Sequence, residues 1–196
     1  MVACNTVSAV ALDVVQRLAG VPVVGVIVPG AAAAVQVTKK KRVGVIGTVG
    51  TIHSKAYINA IRQFDPSVQV FGRACPLFVP LAEEGWLEHR ATELIAREYL
   101  FPLSVEKIDV LVLGCTHYPI LSPVIQRVVH DNVTMIDSGE ETAAVVGGML
   151  EEAELRNPSR LKPHLQFFVS DVPYKFTEIG ERFLGQKLGA VKTVGW

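Results

Sequence analysis

The sequence has 196 residues, of which 49% are hydrophobic and 19% charged, with 19 Lys and Arg against 19 Asp and Glu. This composition predicts a globular fold and excludes disordered and collagen-like chains. The formal net charge is zero, so the sequence has no excess of positive charge that would attract nucleic acid. Residues 18–38 form an uncharged run long enough to span a membrane, but Gly and Pro residues divide it, so we expect no membrane span.

Apolar segments bounded by Gly and Pro alternate with segments of helical periodicity along the chain. Strands are predicted at residues 23–28, 42–46, 68–71, 109–113, 133–136 and 165–169. Helices are predicted at residues 8–18, 31–37, 54–64, 89–100, 122–129, 140–155 and 174–184. Val- and Ile-rich strands between helices indicate an α/β fold with a mostly parallel sheet covered on both faces.

Two distant segments of the chain share one pattern. Val-Ala-Cys-Asn-Thr at residues 2–6 and Leu-Gly-Cys-Thr-His at residues 113–117 each precede a helix, a strand and a second helix at nearly equal spacing. This indicates a duplicated βαβα unit, with Cys4 and Cys115 at the carboxyl ends of equivalent strands, where open α/β sheets bind ligands. A thiol before a helix start lies near the positive end of the helix dipole, which favours the thiolate.

Two thiols that face one small ligand have the geometry of stereochemical inversion. One thiolate removes a proton while the opposite thiol delivers one, and polar neighbours orient the ligand and the thiols. The polar neighbours predicted to do this are Asn5, Thr6, Thr116 and His117.

Other uses of these residues fit the sequence less well. Cys115 and His117 are only two ligands without a nearby second pair, so no metal site is predicted. A cysteine hydrolase would leave the second copy of the motif unused, and Cys75, outside the repeat, is assigned to packing.

A glycine-rich segment follows the strand at residues 42–46. Its G-x-x-G-x-x-G spacing is neither the dinucleotide fingerprint nor a P-loop. We therefore expect Thr48 and Thr51 to bind a carboxylate, and a nucleotide or phosphate binder is the distant alternative.

The motifs resemble those of glutamate racemases in the cofactor-independent aspartate/glutamate racemase superfamily. The matching segments, residues 3–6, 47–51, 74–81, 113–119 and 136–142, follow the family order over nearly the whole chain. The resemblance implies an isomerase that interconverts L- and D-glutamate for peptidoglycan biosynthesis without a cofactor, and a homodimer is left open. Three widely spaced cysteines and the lack of a signal-peptide pattern at Met1 predict a cytoplasmic protein. It implies that Cys4 and Cys115 are the acid/base thiols, that His117 assists Cys115, and that the polar neighbours of the two thiols contact the amino acid.

The resemblance also implies an incomplete molecule. In the family, a segment before the first cysteine motif supplies an Asp-Ser-Gly loop and a Tyr-Gly loop, and neither has a counterpart here. We expect two pseudo-symmetric lobes, an incomplete one from residues 1–30 and 141–196 and a second one from residues 31–140, and an inactive chain. The alternatives are a non-catalytic relic that acts as a binding module, or an aspartate racemase.

Overall fold

A parallel sheet of four strands forms the centre of the fold. The strands are β1 (Arg42–Gly47), β2 (Gln69–Ala74), β3 (Val110–Gly114) and β4 (Thr134–Asp137), in the order β2-β1-β3-β4. The computed structural model describes residues 1–159, 161 and 163–195. The inner strands β1 and β3 are almost entirely buried, which explains their uninterrupted apolar sequences. The predicted α/β class with a parallel sheet is confirmed.

Helices cover both faces of this sheet. One face packs against the small side chains of an Ala-rich helix and against Tyr57 and Ile61 of the helix that follows β1. On the other face, Leu103 approaches Gly44 of β1. The helices are α1 (Asn5–Val10), α2 (Leu12–Ala19), α3 (Ile27–Val37), α4 (Val49–His53), α5 (Ala56–Phe64), α6 (Phe78–Glu83), α7 (Arg90–Val105), α8 (Ser122–Val129), α9 (Ser138–Glu152) and α10 (Pro173–Leu184).

The contacts divide the chain into two units. The first comprises Met1–Arg156 and contains the four-stranded sheet. The second begins at Asn157 and contains β5 (Phe167–Val169) and β6 (Val191–Thr193), which pair in parallel, with α10 between them in sequence. The assignment of residues 1–30 and 141–196 to one lobe, and of residues 31–140 to the other, stays a prediction.

The strand predicted at residues 23–28 is wrong. Among the described residues this segment pairs only through a parallel bridge between Val2 and Gly25, and α3 already begins at Ile27. A Val-rich segment becomes a strand only where a neighbouring strand offers a ladder, and here Val2 offers one residue. The single helix predicted at residues 8–18 is also wrong, because the backbone at Ala11 leaves the helical region and separates α1 from α2.

The predicted duplication is visible in the topology. Val2 lies opposite Gly25 as Leu113 lies opposite Asp137, and a helix follows directly in each case. These two helices, α3 and α9, pack against each other. The equivalent of Asp137 is therefore Gly25.

Candidate active site

The two motif cysteines differ in their position relative to the helix that follows each of them. Cys4 is the exposed N-cap residue of α1. Cys115 directly follows β3 and is only 6% exposed, and a turn and a short 3₁₀ helix separate it from α8, which begins at Ser122. The dipole argument therefore does not apply to Cys115, and the prediction that its position favours the thiolate is wrong.

Burial controls the ionisation of Cys115. Burial raises the pKa of its thiol to about 11, although a hydrogen bond from the backbone N–H of His117 opposes this. The charge of Cys4 raises the pKa of Cys115 further, and a hydrogen bond with the Thr116 side chain lowers it slightly. Hydrogen bonds from Asn5, beside Cys4, to Ser138 and from Ser138 to the carbonyl oxygen of Leu113 join the segments of the two thiols, which are 111 positions apart (115 − 4) in the sequence.

A histidine that contacts a glutamate lies next to Cys115. His117 Nδ1 lies 3.9 Å from Cys115 Sγ, and His117 Nε2 lies 3.1 Å from Glu83 Oε1. A carboxylate accepts only, so Nε2 carries a proton, and in the neutral ring Nδ1 is then the acceptor that faces the thiol. Glu83 was not predicted from the sequence, where it is one of two adjacent glutamates at the end of α6.

Three predicted binding residues form a closed triangle of hydroxyl groups. Thr6 Oγ1 lies 2.8 Å from Thr48 Oγ1 and 3.1 Å from Thr51 Oγ1, and the latter two are 3.1 Å apart. Thr48 Oγ1 also accepts the backbone N–H of Thr51 and so caps α4. Each hydroxyl has one proton. When an O–H bond rotates away from the other two hydroxyls, it can donate its hydrogen bond to a carboxylate of the ligand instead.

Asn5 is placed inside the protein, next to the two motifs. Its side chain is 2% exposed, its Oδ1 accepts the Tyr57 hydroxyl at 2.7 Å, and its Nδ2 donates to Ser138 Oγ at 3.3 Å. By contrast, Thr116 is exposed, with its hydroxyl 3.4 Å from His117 Nδ1. The roles of all these residues in binding stay predictions.

The third cysteine lies in the interior, directly after β2. Cys75 is fully buried, burial raises the pKa of its thiol to about 12, and its Sγ lies 3.6 Å from the carbonyl oxygen of Arg73. Its carbonyl oxygen accepts the Tyr118 hydroxyl at 2.8 Å. The prediction that Cys75 packs in the interior is confirmed.

Neither a metal cluster nor a membrane span is found in the described part of the chain. No group of three or more His, Cys, Asp or Glu side chains there could hold a metal ion. Within the same residues, no helix has the length and apolar character needed to cross a membrane.

Paired thiols beside a His–Glu pair, at the carboxyl edge of a parallel sheet, define an α/β enzyme that works by proton transfer. The family model described as Asp/Glu/Hydantoin racemase matches residues 1–146, and the chain belongs to this family.

Relatives and solved structures agree with this assignment. The chain is 53% identical to a glutamate racemase of Geobacter metallireducens, over 99% of this chain and 72% of the relative. It is 52% identical to one of Chlorobaculum tepidum, over 100% of this chain and 72% of the relative. The chain is also similar to crystal structures of two glutamate racemases, one from Bacillus anthracis (38% identity) and one from Francisella tularensis in complex with D-glutamate (37% identity). Each comparison has a TM-score of 0.90 and covers 98% of this chain and 71% of the other.

Proposed function

We propose that this protein is a glutamate racemase that interconverts L- and D-glutamate with two thiols as acid and base. The observation that carries the proposal is the pair of buried hydrogen bonds from Asn5 to Ser138 and from Ser138 to the Leu113 carbonyl oxygen, which join the segments that carry Cys4 and Cys115 at equivalent positions of a duplicated unit. The glutamate racemases that the chain matches over nearly its whole length support this substrate.

In the proposed reaction one thiolate takes the α-proton of glutamate. The C–H bond breaks, an S–H bond forms, and the electron pair spreads from the α-carbon into the adjacent carboxylate. The opposite thiol then gives its proton to the other face of the α-carbon and becomes a thiolate. The configuration inverts with one proton taken up and one released, and the reverse reaction uses the same thiols in exchanged roles.

The raised pKa of Cys115 makes this thiol the resting acid. With a pKa of about 11, Cys115 is protonated at neutral pH and can deliver a proton. When it must act as the base, His117 Nδ1 can take the thiol proton, and Glu83 stabilises the imidazolium that results. Two like charges in one small site are unfavourable, so one thiol stays protonated while the other ionises.

Neutral donors suit the ligand carboxylates. The Thr6 hydroxyl lies in the first turn of α1, and those of Thr48 and Thr51 lie at the N-cap and in the helix of α4. Hydrogen bonds from such groups stabilise the charge that develops on the carboxylate. The absence of a cofactor and of a metal, the cytoplasmic location and the homodimer stay predictions. D-glutamate from this reaction would enter peptidoglycan.

The test uses the complete chain and needs little turnover. In D₂O, stoichiometric protein should exchange the α-proton of glutamate, followed by NMR, and D-glutamate should slow the alkylation of Cys4 and Cys115, followed by mass spectrometry. Cys4→Ala and Cys115→Ala should each abolish inversion, followed by circular dichroism, because inversion needs a proton donor on each face. Cys75→Ala is the matched control and should stay within about threefold of the unmodified chain, since substitutions away from the site act mainly through stability.

The same assay separates the alternatives. Equal exchange of aspartate and glutamate would favour a broader amino-acid racemase. Protection of the thiols by D-glutamate without any exchange would favour a binding module. Micromolar binding of ATP or NAD by calorimetry, with no effect of D-glutamate on either thiol, would favour the phosphate-binding alternative and contradict the racemase proposal.

A further inference from the structure

A chain of buried hydrogen bonds connects the two cysteine motifs. The Tyr57 hydroxyl donates to Asn5 Oδ1 at 2.7 Å, Asn5 Nδ2 donates to Ser138 Oγ at 3.3 Å, and Ser138 Oγ donates to the carbonyl oxygen of Leu113 at 3.2 Å. The side chains of Tyr57, Asn5 and Ser138 are each 2% exposed. Asn5 follows Cys4, and Leu113 precedes Cys115 by two residues, so this chain of bonds joins the two thiol-bearing segments.

The protons in this chain fix the orientation of the Asn5 amide. The Leu113 carbonyl oxygen only accepts, and at 3.2 Å it is nearer to Ser138 Oγ than Asn5 Oδ1 is at 3.5 Å, so the Ser138 proton points to Leu113. Ser138 Oγ then accepts from the Asn5 amide nitrogen, and Asn5 Oδ1 faces the Tyr57 hydroxyl, which donates to it. One of the two Asn5 N–H groups then has no acceptor among the residues that the structure describes.

The backbone around these hydroxyls leaves room for them. A Cβ at Gly30 of α3 would lie 3.1 Å from Ser138 Cβ and 3.4 Å from the Tyr57 hydroxyl oxygen. A Cβ at Gly114 would lie 3.1 Å from Tyr57 Cε2 and 2.7 Å from the carbonyl oxygen of Ile46. Because the two glycines have no side chain, the hydrogen-bonded side chains fit between the packed elements at these close approaches. Hydroxyls left unpaired in this buried position would be costly.

We propose that Tyr57 and Ser138 are positioning residues for the racemase reaction. They hold the Asn5 amide so that its remaining N–H is offered to a carboxylate of the amino acid, and they keep the segment of Cys4 in register with the strand that carries Cys115. This inference rests on the proposed function for its ligand, but the orientation of the Asn5 amide does not depend on any ligand.

The first readout is the Asn5 amide itself, in the complete chain labelled with ¹⁵N-asparagine. Tyr57→Phe removes one hydroxyl and leaves the ring, so Asn5 can turn, and the exchange of its side-chain protons with water should accelerate at least about tenfold. Ser138→Ala should do the same from the other side of the amide. Tyr118→Phe is the matched control, because Tyr118 is also a buried tyrosine whose hydroxyl donates one hydrogen bond, at 2.8 Å, but to the carbonyl oxygen of Cys75.

The second readout is the dissociation constant of D-glutamate by calorimetry. It should rise about tenfold in Tyr57→Phe and in Ser138→Ala, because about one well-oriented hydrogen bond is lost. It should stay unchanged in Tyr118→Phe, even where this substitution lowers the melting temperature as much as the other two do. The proposal is overturned if Tyr57→Phe and Ser138→Ala match Tyr118→Phe in Asn5 exchange, or if they change exchange without changing D-glutamate affinity. If the unmodified chain binds no D-glutamate, the proposed function fails, and faster Asn5 exchange would then support a structural network only.

Discussion

Burial makes the three thiols of this chain chemically unequal. Cys4 is exposed, whereas burial raises the pKa of Cys115 to about 11 and that of Cys75 to about 12. A thiolate is the reactive form, and access adds to the difference. We expect iodoacetamide at pH 8 to modify Cys4 first, with Cys115 and Cys75 at least about tenfold slower, as measured by mass spectrometry of the folded chain.

The pH dependence of Cys115 follows from the same shift. Its folded pKa lies above the unfolded value of 9.0, so the native state favours the protonated thiol, and the resulting stability is present below pH 9 and is lost as the pH rises toward 11. The native alkylation rate of Cys115 should therefore keep rising up to about pH 11. A plateau near pH 9 would show that burial does not control this thiol.

The sequence was informative for residues whose role depends on a local pattern. Cys4 and Cys115 stood out because each lies in one copy of the same motif. In the fold, the charge of Cys4 raises the pKa of Cys115. Glu83, Tyr57 and Ser138 did not stand out, because their partners are 34, 52 and 133 positions away. A contact over such a separation leaves no periodicity or spacing that one sequence can reveal.

Elements could be predicted where the local pattern and the tertiary contacts agree. The four strands of the central sheet are apolar, bounded by turns and paired, and they lie close to their predicted positions. Residues 23–28 have the same apolar composition, but within the described residues their only β-bridge partner is Val2, so the segment remains irregular until α3 begins. Pairing is decided between segments, and composition alone does not show it.

One buried carboxylate connects two of these elements. Asp109, at the start of β3, accepts hydrogen bonds from the Thr38 hydroxyl at 2.7 Å and from the backbone N–H groups of Lys39 at 2.6 Å and Lys40 at 2.7 Å. These residues form the connection from α3 to β1. Burial opposes ionisation, but the hydrogen bonds outweigh it and hold the pKa of Asp109 below its usual range.

We expect Asp109→Ala to lower the free energy of unfolding by about 2 kcal/mol, since hydrogen bonds to a charged group contribute more than neutral ones. Because the folded pKa is depressed, this contribution is present above about pH 4 and disappears as the pH falls through the folded pKa, so the difference between the two proteins should shrink in acid. Urea unfolding at pH 7 and pH 3 measures both effects. Asp65→Ala is the control, a half-buried aspartate that accepts a hydrogen bond from the Ser67 hydroxyl and pairs with the exposed Lys41, and it should cost less. An equal loss from both substitutions would contradict the role given to Asp109.

At the scale of the whole molecule, the duplicated unit appears in two different environments. The helices α2 and α8 both have 8 residues and carry similar segments, Val-Val-Gln-Arg at residues 14–17 and Val-Ile-Gln-Arg at residues 124–127. In α8, Val124, Ile125 and Val129 are buried, whereas α2 buries none of its residues and Leu18 is 80% exposed. The intrinsic helix propensity is higher in α2, which ends in Leu and Ala where α8 ends in two Val residues, so the advantage of α8 is its tertiary burial.

We therefore expect the amides of α2 to exchange with solvent at least about a hundredfold faster than those of α8, because local opening is easiest where few apolar contacts are lost. Hydrogen exchange with mass spectrometry on the complete chain compares the two helices within one molecule. Cys4 lies just before α1, on a segment joined to Gly25 by the single bridge of Val2. Because both thiols are present, we replace the inactivity expected from the sequence with an expectation of slow racemisation by the chain alone. Equal protection of α2 and α8, or turnover as fast as that of the racemase relatives, would show that the α1–α2 region is held in place by contacts beyond those described, such as a second copy of the chain.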